Sequence, residues 1–181
     1  FIPGFRNLQV FKEEDSETGA WVTEKPNHPV TIHELLTHTS GLTYGLQAAH
    51  HPVARRYNEM QLEGDALPLD QVVEKILEQP LAFQPGSRWH YSVSTDVLAR
   101  VVEIISGKSI DQFLQQRLFD PLGMKDTGYF LPAEKHGRLS EIYCIANWFD
   151  HGNTPEDLEK QWREGAVASR LVSGETHRCL E

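Results

Sequence analysis

Apolar residues recur every three or four positions over much of the chain, which is the spacing that places them on one face of an α-helix. The clearest helix start is Thr31. There Thr31 and Glu34 have the spacing of a capping box, in which each side chain satisfies a backbone N–H of the other residue. An apolar face follows, and Gly41 is expected to end this helix in a left-handed conformation.

Three further helices follow from the same spacing. Asp70 is expected to cap the second helix, and Pro80 ends it. The third helix runs from about residue 95 to 106 and is closed by Gly107, and Ser109 caps the fourth. The residues expected to face the core are Val72, Val73, Ile76 and Leu77, then Val97, Leu98, Val101, Val102 and Ile105, then Ile110, Phe113, Leu114 and Leu118.

Weaker signals fill part of the remaining chain. An irregular helix is expected around Ala48–Met60, and a last helix from Thr154, followed by Pro at its first position, to about Glu164. A short strand is expected at Trp21-Val22-Thr23. Strands are otherwise scarce, so the chain is predicted to be mainly α.

Composition and charge restrict the class of protein. Hydrophobic residues make up 39% and charged residues 24% of the 181 residues, which is enough for a packed core. The formal net charge of −9 argues against a nucleic-acid partner, since that affinity depends on Lys and Arg neutralising phosphates. No apolar run predicts a membrane span and no signal peptide is visible, which favours a soluble, cytoplasmic protein.

The ends and the cysteines add two expectations. The chain starts at Phe1 rather than Met, and residues 1–5 look like the interior of a protein, so we expect the gene product to extend upstream. The two cysteines, Cys144 and Cys179, do not make the disulfide framework of a small secreted protein.

A zinc site is the first chemistry to consider. His33 and His38 resemble the histidine pair of a zinc-binding helix but are five residues apart instead of four. At about 100° per residue, their side chains would lie roughly 140° apart around the helix. The adjacent His50 and His51 diverge as well, so no metal site is predicted.

A serine nucleophile is the second possibility. The Gly-x-Ser-x-Gly elbow of α/β-hydrolases does not occur in the sequence. None of the lysines has a serine three residues before it, so the chain also lacks a Ser-x-x-Lys pair. Tyr91-Ser92 before the third helix is a weak signal by itself, since a tyrosine at such a place is most often a packing residue.

Five segments in order, however, resemble the serine β-lactamase superfamily. This superfamily includes class C β-lactamases, penicillin-binding DD-peptidases and β-lactamase-like carboxylesterases. The resemblance covers about residues 1 to 143. It rests on Thr31-Ile32-His33-Glu34-Leu35-Leu36-Thr37-His38-Thr39-Ser40-Gly41-Leu42, Phe83-Gln84-Pro85-Gly86, Tyr91-Ser92, Ser106-Gly107-Lys108 and Pro121-Leu122-Gly123-Met124-Lys125-Asp126-Thr127, with Phe1-Ile2-Pro3-Gly4-Phe5 as an opening that also fits.

The resemblance implies roles for particular residues. Tyr91 would be the catalytic tyrosine, which helps to move protons during acyl transfer beside a serine and a lysine. Tyr44 and Val93 would line the substrate cleft, although packing is an equal alternative for Tyr44. His38, Thr39, Ser40 and Gly41 would form a structural motif that closes a helix near the site.

Two departures from the superfamily pattern shape the functional prediction. Val93 stands where lactamases have an asparagine that donates to the substrate amide, which favours the esterase-like branch over lactamases and peptidases. Both the Ser-x-x-Lys helix and the terminal Lys/His-Thr/Ser-Gly strand motif are missing. The chain therefore resembles part of a carboxylesterase that works through an acyl-enzyme, without metal or organic cofactor, and that is expected to be inactive alone.

Several alternatives remain open at this point. A β-lactamase, a DD-peptidase or a relative of the fungal side-chain acyltransferases would also act on a small-molecule ester or amide. A non-catalytic helical binding module is the alternative from another class. The resemblance implies that residues 1–143 form the helical section of the α/β β-lactamase/transpeptidase-like fold, and that residues 144–181 form a divergent tail with one helix.

Self-association or low stability is the physical prediction. In the superfamily the helical section packs against a sheet built from both chain ends, and without that sheet apolar faces are exposed. Analytical ultracentrifugation and thermal unfolding of the isolated chain check this. A monodisperse monomer that unfolds cooperatively would count against it.

Overall fold

A computed structural model describes residues 1–45, 51–60 and 67–138 of the chain, together with the backbone of residues 143–144 and 169–170. The chain divides into two compact units. One comprises Phe1–Leu62 and Leu67–Lys125, and the other comprises Glu63–Ala66 and Asp126–Glu181. The domain boundary expected at residue 143 stays a prediction.

The first unit is rich in helix and holds one small sheet. Its 3-10 turn Pro3–Asn7 precedes the antiparallel strands β1 and β2. Helix α4 packs against α1, α3 and α5. The bounds are β1 Val10–Glu14, β2 Trp21–Glu24, α1 Ile32–Leu36, α2 Pro52–Glu59, α3 Leu69–Leu77, α4 Ser94–Ser106 and α5 Ile110–Leu114, which continues as a π-helical turn Gln115–Phe119.

The capping box at the start of α1 is confirmed. The Thr31 hydroxyl accepts from the Glu34 N–H at 3.2 Å, and a Glu34 carboxylate oxygen accepts from the Thr31 N–H at 2.8 Å. The end of α1 differs from the prediction: the helix stops at Leu36, and His38 rather than Gly41 is the first left-handed residue after it, with φ +53°. Gly41 is also left-handed but lies beyond the helix.

The strand at Trp21 is confirmed as β2, while β1 was missed. Charged residues occupy most of β1, and only Val10 is buried in it, so it lacks the alternation of a half-buried strand. A segment distant in the sequence completes the pairing. Phe11 donates its N–H to the Leu81 carbonyl and Leu81 donates to the Gln9 carbonyl, each at 2.8 Å.

The core of the first unit takes side chains from β1, α1, α2, α3 and the start of α4, and from the loops between them. Its central side chains are fully enclosed, and Val53, Ile76 and Val97 have no exposed surface. The buried cluster consists of Leu8, Val10, Leu35, Leu42, Val53, Tyr57, Val73, Ile76, Leu81, Ala82, Phe83, Val93 and Val97.

Other sequence expectations are met in part. Gly107 ends α4 in a left-handed conformation, as expected. Helix α3 starts one residue early, at Leu69, after Pro68, so Asp70 is its second residue and not its cap. Ile105 and Leu118 were expected inside, but they are 64% and 42% exposed. The expected helix at residues 154–164 lies outside the described residues.

In the second unit, an ion-pair cluster fixes a short 3-10 turn, Ala133–Arg138. Arg138 contacts Asp126 with both terminal nitrogens, at 3.1 and 2.8 Å, and Lys135 lies 3.0 Å from it. Hydrogen bonds from Arg138 and then Lys135 lower the pKa of Asp126 to about 2. A strand pair, Tyr143–Cys144 with Ser169–Arg170, belongs to the same unit.

The described part of the chain contains no candidate membrane span. None of its helices is both long and apolar enough to cross a bilayer.

Two isoleucines of very different burial test the position of the core. Ile76→Ala should lower the free energy of unfolding by about 2–5 kcal/mol, because it removes a buried side chain and leaves a cavity. The matched change Ile105→Ala should shift it by less than about 0.5 kcal/mol, since Ile105 is mostly exposed. Urea unfolding followed by circular dichroism measures both, and equal losses would refute this core.

Candidate active site

Two loops that lie far apart in the sequence meet at the candidate site. The first follows α1 and the second leads into α4. Four backbone hydrogen bonds join them, each donated by an N–H of the second loop to a carbonyl of the first. The pairs are Gly86 to Thr39 at 2.8 Å, Ala82 to Gly41 at 2.7 Å, His90 to His38 at 2.8 Å and Val93 to Thr43 at 3.2 Å. These bonds fix the position of Tyr91, which lies between the last two.

Tyr91 lies at the surface of this junction, with its side chain held between two rings. Its ring centroid lies 5.0 Å from that of His38 and 5.8 Å from that of Tyr44. Tyr91 is 52% exposed. Trp89 is 67% exposed, and its ring centroid lies 6.4 Å from that of His38. The junction therefore presents a phenol to solvent within a row of aromatic rings.

The serines of the junction point the other way, into the protein. Ser40, Ser92 and Ser94 are at most 3% exposed. The hydroxyl oxygens of Ser40 and Ser94 are 2.8 Å apart, and those of Ser94 and Ser92 are 2.7 Å apart. Because each is enclosed and hydrogen-bonded, neither Ser40 nor Ser92 offers a free hydroxyl to a substrate.

The residues of the predicted structural motif form the turn after α1. Thr39 pairs its hydroxyl with that of Thr37 at 2.9 Å, and Ser40 accepts from the Leu42 N–H at 3.2 Å. At Gly41 a Cβ would collide with the Phe83 carbonyl, in addition to the strain of φ +88°. A glycine is therefore required for the two loops to approach each other.

Val93, one of the predicted cleft residues, is 5% exposed and packs in the core at the start of α4. Tyr44, the other, is half-buried against Tyr91. An apolar side chain at position 93 has no group with which to bond a substrate amide. Their roles in substrate binding stay predictions.

Burial lowers the pKa of two histidines beside the junction. Burial, and then the charge of Arg88, lower the pKa of His90, whose Nε2 lies 3.0 Å from the Thr43 hydroxyl. Burial lowers the pKa of His51 as well, followed by the charges of Arg88, His90 and Arg55. The ring of His90 also packs edge-on against that of Phe83, with the ring centroids 5.3 Å apart.

A sequence model of the β-lactamase family matches residues 15–169, which is most of the chain. This chain belongs to the β-lactamase family. The family match was expected from the segments at residues 31–42 and 91–92, and it is confirmed.

Named relatives of this β-lactamase-family chain are esterases and acyltransferases. Lovastatin esterase of Penicillium rubens is 36% identical over 124 residues, which are 68% of this chain and 29% of that protein. Esterase EstB of Burkholderia gladioli is 41% identical over 106 residues, 58% of this chain and 27% of that protein. The chain thus spans about 30% of the length of these relatives, and it is related to serine hydrolases and acyltransferases.

A solved structure agrees with this relationship. The unliganded simvastatin synthase (LovD) of Aspergillus terreus superposes with a TM-score of 0.60 at 26% identity, covering 77% of this chain and 34% of that one. The chain is therefore partly helical and resembles the β-lactamase-like fold.

The described residues of this β-lactamase-family chain contain no candidate metal site. Within the described residues, no three His, Cys, Asp or Glu side chains lie close enough together to hold a metal ion. His38 lies in the turn beyond α1 while His33 is inside it, so the two do not share a helix face.

Sequence reasoning missed three features of the site. No local sequence pattern points to Ser94, Thr43 or Trp89, because each contacts a residue on the other loop. Ser94 pairs with Ser40, 54 residues away, and Thr43 pairs with His90, 47 residues away. Trp89 precedes Tyr91 by two residues, and only the structure shows that it is 67% exposed.

The lowered pKa of His90 predicts a dependence of stability on pH. Below about pH 6.5 the unfolded chain binds more protons than the folded one, so the free energy of unfolding should fall as pH drops from 7 towards 5. His90→Gln should weaken this slope, whereas His33→Gln, at an exposed position, should leave it unchanged. Urea unfolding at pH 7, 6 and 5 measures the slopes, and the same slope in all three proteins would contradict the assignment.

Proposed function

We propose that this chain supplies the tyrosine-bearing part of the active site of a serine carboxylesterase, and that Tyr91 is the catalytic tyrosine. The observation that carries the proposal is the exposed phenol of Tyr91 on a junction whose loops match the family motifs. Two esterases among the relatives support the same chemistry.

The proposed reaction divides ester hydrolysis into two steps. A serine oxygen attacks the ester carbonyl, the alcohol leaves with a proton, and an acyl-enzyme forms. Water then attacks the acyl-enzyme and releases the acid. In the first step the phenolate of Tyr91 takes the serine proton, and the phenol so formed gives that proton to the oxygen of the leaving alcohol, which is general acid–base catalysis.

The serine itself is proposed to lie outside these residues. The sequence has no Ser-x-x-Lys, and Ser40 and Ser92 are buried in hydrogen bonds. Although Ser92 Oγ lies 3.4 Å from His38 Nδ1, Ser40 and Ser92 are only 1% and 3% exposed, so neither hydroxyl is accessible to a substrate. The isolated chain is therefore proposed to be inactive, and the mainly α section is proposed to be completed by other parts of the fold.

An acyltransferase is the second candidate. Monacolin J acid methylbutanoyltransferase of Aspergillus terreus is 29% identical over 131 residues, and simvastatin synthase shares the fold. Both activities pass through an acyl-enzyme and differ in whether water or an alcohol receives the acyl group. Val93 disfavours a lactamase or DD-peptidase in either case, because valine offers no donor to a substrate amide. If the chain were a non-catalytic binding module instead, Tyr91 would be dispensable.

A chimera provides the nucleophile that the experiment needs. The part of this chain that matches EstB of Burkholderia gladioli replaces the corresponding 106-residue segment of that esterase. Hydrolysis of p-nitrophenyl acetate and butyrate by the chimera is then measured. The chimera should hydrolyse both esters, and Tyr91→Phe should lower kcat by about 10²- to 10⁴-fold, the usual contribution of a general acid–base group. The isolated chain should give only background.

Tyr57→Phe is the matched control, since it removes the same hydroxyl from a buried tyrosine with no hydrogen-bond partner among the described residues. It should leave kcat unchanged. Full activity of the Tyr91→Phe chimera would contradict the proposal. Turnover by the isolated chain that disappears in its own Tyr91→Phe variant would instead show that the nucleophile is within this chain. Adding an alcohol and measuring ester formation separates the acyltransferase from the esterase.

A further inference from the structure

His38 has an unusual backbone for a residue with a side chain. Among the described residues it is the only non-glycine residue with positive φ, +53°. Histidine adopts this region rarely, and such conformations persist where the surrounding structure enforces them, often at functional sites. Here the carbonyl of His38 accepts from the N–H of His90, which holds the turn against the loop of Tyr91.

This backbone places the imidazole against the candidate catalytic ring. The rings of His38 and Tyr91 lie 5.0 Å apart at an interplanar angle of 33°. Tyr91 is half exposed while His38 is half-buried, so the imidazole is the better fixed of the two. The imidazole is therefore one of the two rings that contact the Tyr91 phenol, and the other is that of Tyr44.

A chain of buried hydroxyls leads to the other side of that imidazole. Ser92 Oγ lies 3.4 Å from His38 Nδ1, and Ser92 is bonded in turn to Ser94 and Ser94 to Ser40. The Leu42 N–H donates to the far end of the chain, at Ser40 Oγ. The chain thus joins a fixed backbone donor at one end to an imidazole nitrogen at the other.

The hydrogen of Ser40 sets the direction of every bond in the chain. A hydroxyl has one hydrogen to donate. It can also accept two, so the bond from the Leu42 N–H does not by itself fix the role of Ser40. Among the described residues, Ser94 Oγ is the one acceptor to which Ser40 Oγ is hydrogen-bonded, so the buried Ser40 hydrogen goes to Ser94. The hydrogen of Ser94 then goes to Ser92, and that of Ser92 goes to Nδ1. Nδ1 is then an acceptor, and the hydrogen of the neutral ring is on Nε2.

We propose that His38 is the positioning residue of Tyr91, and that the Ser40–Ser94–Ser92 hydroxyl chain holds it as the Nε2–H tautomer in a fixed orientation. This inference rests on the proposed function, because it assigns a partner to the tyrosine proposed to be catalytic. The hydroxyls thus act through His38 and do not touch the substrate.

The test uses the full chain and reads no turnover, so it stands apart from the esterase experiment. The protein is labelled with ¹⁵N-histidine and 3-fluorotyrosine, and the Tyr91 fluorine signal is assigned from its loss in Tyr91→Phe. Nitrogen spectra report the tautomer of His38. The fluorine signal reports the surroundings of the Tyr91 ring.

Two variants and one control are compared. Ser92→Ala removes the donor to Nδ1 and should shift His38 towards the Nδ1–H tautomer and move the Tyr91 fluorine signal. His38→Asn keeps the left-handed turn, which Asn tolerates, and should move the Tyr91 signal towards that of free 3-fluorotyrosine. Ser109→Ala removes a hydroxyl that makes no capping bond to α5 and should change neither signal.

The outcomes separate cleanly. A Nε2–H tautomer in the wild type, together with a Tyr91 signal that follows His38 in both variants, supports the proposal. An Nδ1–H tautomer in the wild type would overturn it even if no variant folds. A Tyr91 signal that stays unchanged in folded Ser92→Ala and His38→Asn would also overturn it. Full activity of the Tyr91→Phe esterase chimera with these signals as expected would reject the catalytic role of Tyr91 and leave the hydroxyl chain established.

Discussion

The backbone pairing between the turn after α1 and the loop before α4 is the constraint on which the candidate site depends. Buried peptide groups need partners, and here the carbonyls of His38, Thr39, Gly41 and Thr43 receive theirs from residues 41 to 52 positions later. To reach those donors the turn passes through two left-handed residues, one of which has no room for a side chain. The ring of His38, the buried serines and the exposed phenol of Tyr91 all take their places from this pairing.

The chemistry that follows is divided between surface and interior. The junction shows solvent a phenol and an indole, and it keeps its hydroxyls inside as hydrogen-bond partners of each other. We propose that a group on this surface moves a proton beside a substrate and that the covalent chemistry falls to a nucleophile outside these residues. This division agrees with the family membership of the chain and with its span of about 30% of its esterase relatives.

Features with a local cause could be predicted from the sequence. The capping box of Thr31 and Glu34 and the left-handed end at Gly107 each depend on residues within a turn of each other, and both are found. The cap at Asp70 was predicted wrongly, because Pro68 already orients the chain for a helix that starts at Leu69. Periodicity placed Ile105 inside, but Ile105 lies in the last turn of α4, beyond the buried Val97 and Val101, and it is 64% exposed.

Features with a distant cause could not be predicted in this way. No local pattern shows that Ser40 meets Ser94, or that a histidine takes the left-handed position expected for a glycine. Tyr91 was found through family resemblance, because its own neighbours in the sequence predict only a packing ring. Its exposure and its ring contacts are what the fold adds.

Labelling with a fluorophosphonate, which attacks activated serines, tests most directly whether Tyr91 serves a nucleophile outside this chain. In the EstB chimera, peptide mapping should find the phosphonate on the serine of the EstB segment, and Tyr91→Phe should slow labelling strongly. Phosphonate on Ser40 or Ser92, or a labelling rate that does not depend on Tyr91, would contradict the assignment of roles.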